Sequence, residues 1–421
     1  ETPEKRMKAA AKKQTIQHEA GRHEISHGLL LKGYPLIWFA IAAFLIYGQS
    51  ITFSYSYLDD HTLIMEHMEM LKLPQSVVSA FGDDVFHTPG GKGYYYRPVL
   101  TLSFVADAII GQGNFSMFHL SNILYHIVAT FLLFLVLIKV GFSRPGSFLF
   151  SLLFLVHPLN AQAVAWVPGR NDTLLAVFIF ASFLSWLKYM DKKSSLYLLL
   201  HLLCFSLALL TKETAVVLPV MILLYGWFRK RTPVKNLVFP GIAWVVIIFA
   251  YALIRQQVAG GTTTVTLAAQ FGSMIKNLPA LLPFLGKIFF PVNLSVFPIL
   301  ADMTISLVLG LAAILILLTL ILLSRPKEWF FYFFGMAWFC AFLLPSFVTL
   351  NNHIPNFSEH RSYLPMFGIL FIMMASGPVV KIDFSKRLPR IILAGVCLLF
   401  GLLTFLHTRH FKDQFTFWQN A

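Results

Sequence analysis

Two carboxylates, Asp59 and Asp60, stand side by side in the stretch SYLDDHTLI, just after the first long apolar run of the chain. Other ionisable groups gather in short stretches: Arg97 in GYYYRPVL, Asp107 in VADAI, and His157 with Arg170, Asn171 and Asp172 in HPLNAQAVAWVPGRNDTLL. Later come Lys212 and Glu213 in LLTKETAVV, then Glu359, His360, Arg361 and Tyr363 in SEHRSYLP. A further set, His119, Asn122 and His126, is spaced i, i+3, i+7 and so shares one helical face. Adjacent carboxylates divide labour, because repulsion raises the pKa of one while a cation or hydrogen-bond donor holds the other. One can take the proton of a hydroxyl, while Arg and Lys hold a phosphate and stabilise charge on a leaving group.

These groups are set in a chain of 421 residues that is 57% hydrophobic and 12% charged, with a mean hydropathy of +0.70. That composition excludes a water-soluble globular protein and specifies an all-α polytopic membrane protein. The net charge of +14 then sets topology rather than recruiting nucleic acid, and no nucleic-acid partner is expected. Apolar windows predict about eleven spans, at 34–52, 117–138, 146–165, 172–190, 195–211, 214–228, 237–254, 304–324, 329–349, 362–380 and 391–408. With a cytoplasmic N-terminus the inside segments hold 22 of the 33 Lys and Arg residues, so the C-terminus falls outside.

This topology predicts a basic cytoplasmic tail (1–33), a transmembrane domain (34–408) and an outer segment (409–421). The long loops, 53–116 and 255–303, lie outside, and function is to be sought there. Near 277–290 the apolar run is broken by Pro279, Pro283 and Pro291, which predicts a re-entrant or interfacial half-helix lining a protein cavity. An outer vestibule of carboxylates and cations suits a reaction on a lipid-linked phosphate.

Simpler roles exist for several groups. Asn171 and Asp172 are good helix N-caps, and Lys212 with Glu213 can form an ion pair at a turn. His119 and His126 lie two turns apart, whereas zinc ligands on one helix favour i, i+4, so no metal site is expected. Cys204, Cys340 and Cys397 fall within spans and pack there. GxSxG, GxxxxGK[ST] and CxxC patterns are absent. A transporter would carry its charges nearer mid-span and show related halves, and neither is visible.

The runs YYYRPVLTLSFVADAIIGQGNFSMFHLSNILYH and FLVHPLNAQAVAWVPGRNDTLLAVF resemble the transmembrane and tetratricopeptide-repeat (TMTC) protein O-mannosyltransferases and their bacterial relatives, within the GT-C glycosyltransferases. LTKETAVVLPVMILLY, FFPVNLSVFP and EHRSYLPMFGILF match later landmarks in order, and TRHFKDQFTFWQNA looks like the segment that leads into the repeats. Gln162 departs from the pattern, standing where relatives often have Glu.

The resemblance implies a GT-C fold and transfer of a mannose-like hexose from a polyprenyl phosphate to a protein Ser or Thr hydroxyl on the non-cytoplasmic side. The reaction would invert the anomeric carbon, with the lipid-linked sugar as substrate and no cofactor or metal. One of Asp59 and Asp60 would be the base. Arg170, Arg361 and Arg97 would surround the donor, Arg170 and Arg361 touching its phosphate. Asp107, His119, Asn122, His126, His157, Asp172, Lys212, Glu213, Glu359, His360 and Tyr363 would support them. Membrane lipids, an acceptor protein or glycan, and a repeat domain or partner subunit at the C-terminus are the implied partners. A bacterial inner membrane is favoured over the endoplasmic reticulum. A glycan or lipid acceptor, a non-catalytic assembly subunit and a transporter are the competing readings.

Overall fold

The computed structural model describes residues 34–88, 93–259, 266–324, 329–348, 357–384 and 386–421, so the expected basic tail at 1–33 lies outside the described residues. Among the described residues there is no β-strand. The main helices are α1 (Pro35–Tyr47), α2 (Pro98–Ile110), α3 (Phe115–Val140), α4 (Arg144–Leu155), α5 (Ala161–Ala165), α6 (Arg170–Lys192) and α7 (Ser195–Thr211). They continue with α8 (Leu218–Leu224), α9 (Lys235–Val258), α10 (Leu281–Phe289), α11 (Thr304–Leu322), α12 (Trp329–Leu343), α13 (Met366–Ala375), α14 (Arg387–Thr408) and α15 (Gln414–Gln419).

Local sequence sets the ends of these helices. Asn114 caps α3 by accepting from the Ser116 amide, and Gly141 stops it in the left-handed region at φ 117°. Pro158 and Pro168 each sit in a short 3-10 turn, as their helix-breaking chemistry predicts, and so re-aim the chain between α4 and α6.

Among the described residues seven helical segments are long and apolar enough to cross a bilayer, and an eighth is obtained if α4 and Pro158–Ala165, bent by 53°, form one broken span. All eleven windows read from the sequence fall on helical segments, but not all on continuous ones. The 214–228 window is divided among a 3-10 turn (Glu213–Val217), α8 and a π-turn (Tyr225–Arg229). The 362–380 window holds the 10-residue α13, which starts after Pro365, and a short helix from Gly377. Hydropathy sums apolar residues without registering such breaks, whereas proline restarts the hydrogen-bond ladder. Conversely, the 53–116 loop contains the 13-residue apolar helix α2, too short for a span window but buried against its neighbours.

Burial is distributed as a bilayer demands. On α9 the large apolar residues Phe239, Ile242, Val245, Val246 and Phe249 are exposed, while Leu237, Pro240 and Trp244 face the protein. Helix association in lipid relies on close packing rather than on a hydrophobic drive, so small residues mark the crossings. A Cβ on Gly335 would stand 2.5 Å from the Gly368 carbonyl, which shows how closely α12 and α13 approach.

The half-helix expected near 277–290 is present as α10, nine residues long, preceded by a 3-10 turn at Leu278–Ala280. It lies on α11, where a Cβ added to Gly286 would be 2.6 Å from Ser306 O and Gly310 N. Gly310→Val should therefore push α10 off α11 and cost roughly 1–3 kcal/mol. The measurement is thermal unfolding in detergent, and an unchanged midpoint would refute this packing.

Candidate functional site

One end of the bundle collects the start of α3, the α4–α6 connection, the ends of α7, α10 and α14, and the turn Glu359–Ser362. Hydrogen bonds stitch these pieces into one polar layer. His157 Nε2 donates to Ile288 O at 2.9 Å, which fixes α10 to the α4–α5 turn. Gln162 donates to Val296 O at 2.8 Å and accepts from the His360 amide at 3.1 Å. His126 Nε2 donates to Leu155 O at 3.0 Å while Nδ1 accepts from the Tyr363 hydroxyl at 2.6 Å, a carbonyl being able only to accept. His126, His157 and Tyr363 are thus consumed in holding helices together. His119 is buried edge-on to Phe53 and Phe115, with ring centroids 6.1 and 5.2 Å away.

Arg170 is the most constrained side chain of this layer and is 0% exposed. Its Nε donates to Asn122 Oδ1 at 2.7 Å, its Nη1 to Ser103 O and Oγ at 3.1 and 3.2 Å, and its Nη2 to Phe118 O at 2.7 Å. Asp107 Oδ2 lies 2.5 Å from Nη2 outside hydrogen-bond alignment, so that contact is Coulombic, while Asp107 Oδ1 accepts from Ser121. The rings of Phe104, Phe118 and Tyr125 enclose the guanidinium. Every nitrogen already has an acceptor, so the expectation that Arg170 touches a donor phosphate is corrected. It is a buried post joining α2, α3 and α6. Asn122 completes it by donating to Val164 O and Trp166 O at 3.1 and 3.3 Å, which fixes the loop just before α6.

The carboxylate pair is asymmetric. Asp60 is buried and accepts from the Ser56 amide at 2.5 Å, the Ser56 hydroxyl at 2.8 Å and the Leu58 amide at 2.9 Å. Ser56 is held in turn by two indoles, Trp166 Nε1 donating to its Oγ at 3.0 Å and Trp418 Nε1 to its carbonyl at 3.1 Å. Asp59, half-buried beside it, makes no side-chain hydrogen bond or ion pair among the described residues. Burial pushes the Asp59 carboxyl above its ordinary range and Asp60 adds to the push, against the opposing pull of Arg97 and Arg361.

The cations around this loop are arranged in pairs. Arg97 grips Glu213 through Nε and Nη2 at 3.1 and 2.7 Å and stacks over Tyr95. Burial alone would push Glu213 up, but the Arg97 guanidinium outweighs it and holds the carboxyl at about 2. Lys212 donates to Asn171 Oδ1 at 3.0 Å and to both Asp172 oxygens at 2.7 and 2.8 Å. The expected Lys212–Glu213 pair at the turn does not form, because Lys212 is extended (φ −159°, ψ 133°) and neighbouring side chains diverge. Asn171 and Asp172 are likewise ligands of Lys212 rather than caps, the N-cap of α6 being Gly169.

Glu359 and His360, adjacent on a 3-10 turn, point to opposite sides. Glu359 pairs with Lys287 of α10 at 2.7 Å, accepts from the Ser295 amide at 3.0 Å and has His407 at 3.4 Å. His360 lies 3.8 Å from Asp172 against the Trp166 ring, and burial, then Lys212 and Arg361, keeps it well below its usual range and therefore neutral. Arg361 donates to Ser346 O at 3.1 Å and, with Lys212 and Asp172, lines a cleft of about 20 Å³, room for about one water.

The geometry therefore brings Asp59, Arg97, Arg361, Lys212, Asp172, Glu213 and His360 together, and sets Arg170, Asp107, Asn122, His126 and His157 behind them. Sequence reading missed Lys287, His407, Ser56, Trp166 and Trp418. Lys287 had a visible signal, as a single cation in an apolar half-helix requires a partner. Arg170→Leu should cost about 3–5 kcal/mol by stranding Asp107, whereas Arg361→Gln should leave the unfolding midpoint in detergent close to wild type. Equal midpoints for the two variants would contradict the assignment of Arg170 as a post.

The family described as dolichyl-phosphate-mannose-protein mannosyltransferase matches residues 101–254, the stretch holding Asp107, Asn122, Arg170, Lys212 and Glu213. The protein O-mannosyl-transferase Tmtc1 of Drosophila melanogaster is 31% identical over 177 residues, which is 41% of this chain and 20% of that protein. TMTC1 of Mus musculus is 33% identical over 144 residues, 32% of this chain and 15% of that protein. Human TMTC3 is 30% identical over 131 residues, 30% of this chain and 14% of that protein. The matched stretch thus spans a fifth or less of these relatives. Over that stretch the chain is similar to the dolichyl-phosphate-mannose-protein mannosyltransferase family and to the TMTC protein O-mannosyl-transferases, and its described residues form an all-helical architecture with helices apolar enough to cross a membrane.

Proposed function

We propose that this protein is a membrane glycosyltransferase that moves a mannose-like hexose from a polyprenyl-phosphate carrier to a Ser or Thr hydroxyl of a protein, at the non-cytoplasmic face. The observation that carries this reading is the asymmetry of the acidic pair: Asp60 is fixed by three hydrogen bonds, and Asp59 is left open among cations. The names of the matched family and relatives, dolichyl-phosphate-mannose-protein mannosyltransferase and protein O-mannosyl-transferase, support the donor and acceptor classes.

In this reaction Asp59 takes the hydroxyl proton as the acceptor oxygen bonds to the anomeric carbon and the bond from that carbon to the phosphate oxygen breaks. The configuration inverts. Arg361 and Arg97 stabilise the charge left on the lipid phosphate, and a raised pKa suits Asp59 to proton abstraction near neutrality. Lys212 and His360 shape the phosphate end of the vestibule. Asp60 orients its neighbour without touching substrate.

The test is transfer from a synthetic polyprenyl-phosphate mannose to a Ser/Thr peptide by the purified chain. Asp59→Asn should lower transfer at least ~100-fold. Its desolvation cost is present above the folded pKa and relieved as pH falls through it, so this variant should unfold at or above the wild-type midpoint at neutral pH. Asp60→Asn should instead lose roughly 1–3 kcal/mol, since one amide oxygen cannot serve both the Ser56 and Leu58 N–H groups. Full transfer by Asp59→Asn would sink its role as base, and transfer to glycans but not peptides would reassign the acceptor.

A pH profile gives a second check. Transfer should fall on the acid side as Asp59 is protonated, with a midpoint above the ordinary carboxylate range. Arg361→Gln removes a cation that lowers this pKa, so the acid limb should move to higher pH while KM for the donor rises. An unmoved limb with a raised KM would separate Arg361 from the base.

A further inference from the structure

The opposite end of the bundle holds a second cavity, of about 290 Å³, between the end of α3, the start of α4, the π-turn before Lys230, α12 and residues 374–384. At about 1.5 Å per helical residue, the 18 residues of α3 from Asn122 to Val140 separate the two ends by roughly 27 Å. Phe142, Phe150, Phe331 and Val379 give it apolar walls, and its size is at the lower edge of small-ligand sites, ~300–1,000 Å³. Arg229 stands at its mouth, exposed to solvent, with its guanidinium carbon 5.0 Å from the Phe331 ring centroid. Among the described residues Arg229 makes no ion pair. The nearby carboxylate of Asp191 is already held by Lys139 at 2.5 Å and Lys230 at 3.0 Å, so this cluster has a cation in surplus before Arg229 is added. Ile382 and Phe384 line the other wall, and in sequence Asp383 between them is flanked by Lys381 and Lys386.

We propose that this cavity binds the headgroup of an anionic phospholipid, its phosphate on Arg229, its glycerol in the cavity and its acyl chains leaving along the aromatic wall. Excess positive charge at the rim selects an anion. Apolar walls add nothing for inorganic phosphate, yet they extend the contact for a lipid, and the position at the end of spanning helices is where a headgroup lies. The site is remote from Asp59 and stands independently of the glycosyl-transfer reading.

Native mass spectrometry of the full chain in detergent, with phosphatidylglycerol, phosphatidylcholine or inorganic phosphate added, tests it. Wild type should retain phosphatidylglycerol roughly five- to tenfold better than phosphatidylcholine. Arg229→Gln should erase that preference. Val379→Trp, which fills the cavity but keeps Arg229, should lower phosphatidylglycerol retention to a similar degree, and unfolding midpoints in the same detergent confirm that both variants are folded. Equal retention of the two lipids by wild type, or a preference that survives Arg229→Gln, would overturn the proposal. Displacement of the lipid by millimolar inorganic phosphate would overturn it in favour of a free-anion site.

Discussion

The polar layer at one end of the bundle depends on the cost of burying one guanidinium. Arg170 has no access to water, so each of its nitrogens must find an acceptor within the protein, and those acceptors come from two helices, α2 and α3. Meeting that demand fixes α2 and α3 against the first turn of α6. Because Asn122 also binds the carbonyls of Val164 and Trp166, the same demand sets the loop that carries the Trp166 indole to Ser56. A cation placed for structure thereby defines where the acidic pair stands.

The acidic loop shows the complementary use of burial. Three donors converge on Asp60, so its charge is compensated within five residues of chain. Nothing comparable exists for Asp59, which bears the cost of partial desolvation with only long-range help from Arg97 and Arg361. A fully bonded carboxylate would be a poor base, because its hydrogen bonds favour the ionised form. The C-terminal segment joins this arrangement: the Ser54 amide donates to Lys412 O at 2.8 Å and Trp418 donates to Ser56 O, so the chain beyond α14 braces the loop that holds Asp59.

Much of this was legible in the sequence, and the limits have physical causes. Hydropathy identified the membrane class and the half-helix, since both follow from apolar runs and from proline. The gathering of polar stretches at one end followed from their position at span boundaries. Partner choice did not, because it depends on backbone direction at single residues: the extended conformation of Lys212 sends it to Asp172 and leaves Glu213 to Arg97. Arg170 was misread as a phosphate ligand because burial depth is invisible in a motif. Helix α2 was missed because 13 apolar residues are too few to span a bilayer, though enough to pack against neighbouring helices.

The pairing of charges bears on how the proposed reaction would proceed. Arg97 with Glu213, Lys212 with Asp172, Lys287 with Glu359 and Arg170 with Asp107 are each matched, so these cations and carboxylates offset one another around Asp59. A lipid phosphate drawn to Arg361 and Arg97 places an anion among the groups that lower the Asp59 pKa. Their hold on the carboxylate weakens when the donor arrives, and its proton affinity rises. The base then becomes strongest when the donor is in place, so proton abstraction is tied to donor occupancy by electrostatics alone, with no change of shape required.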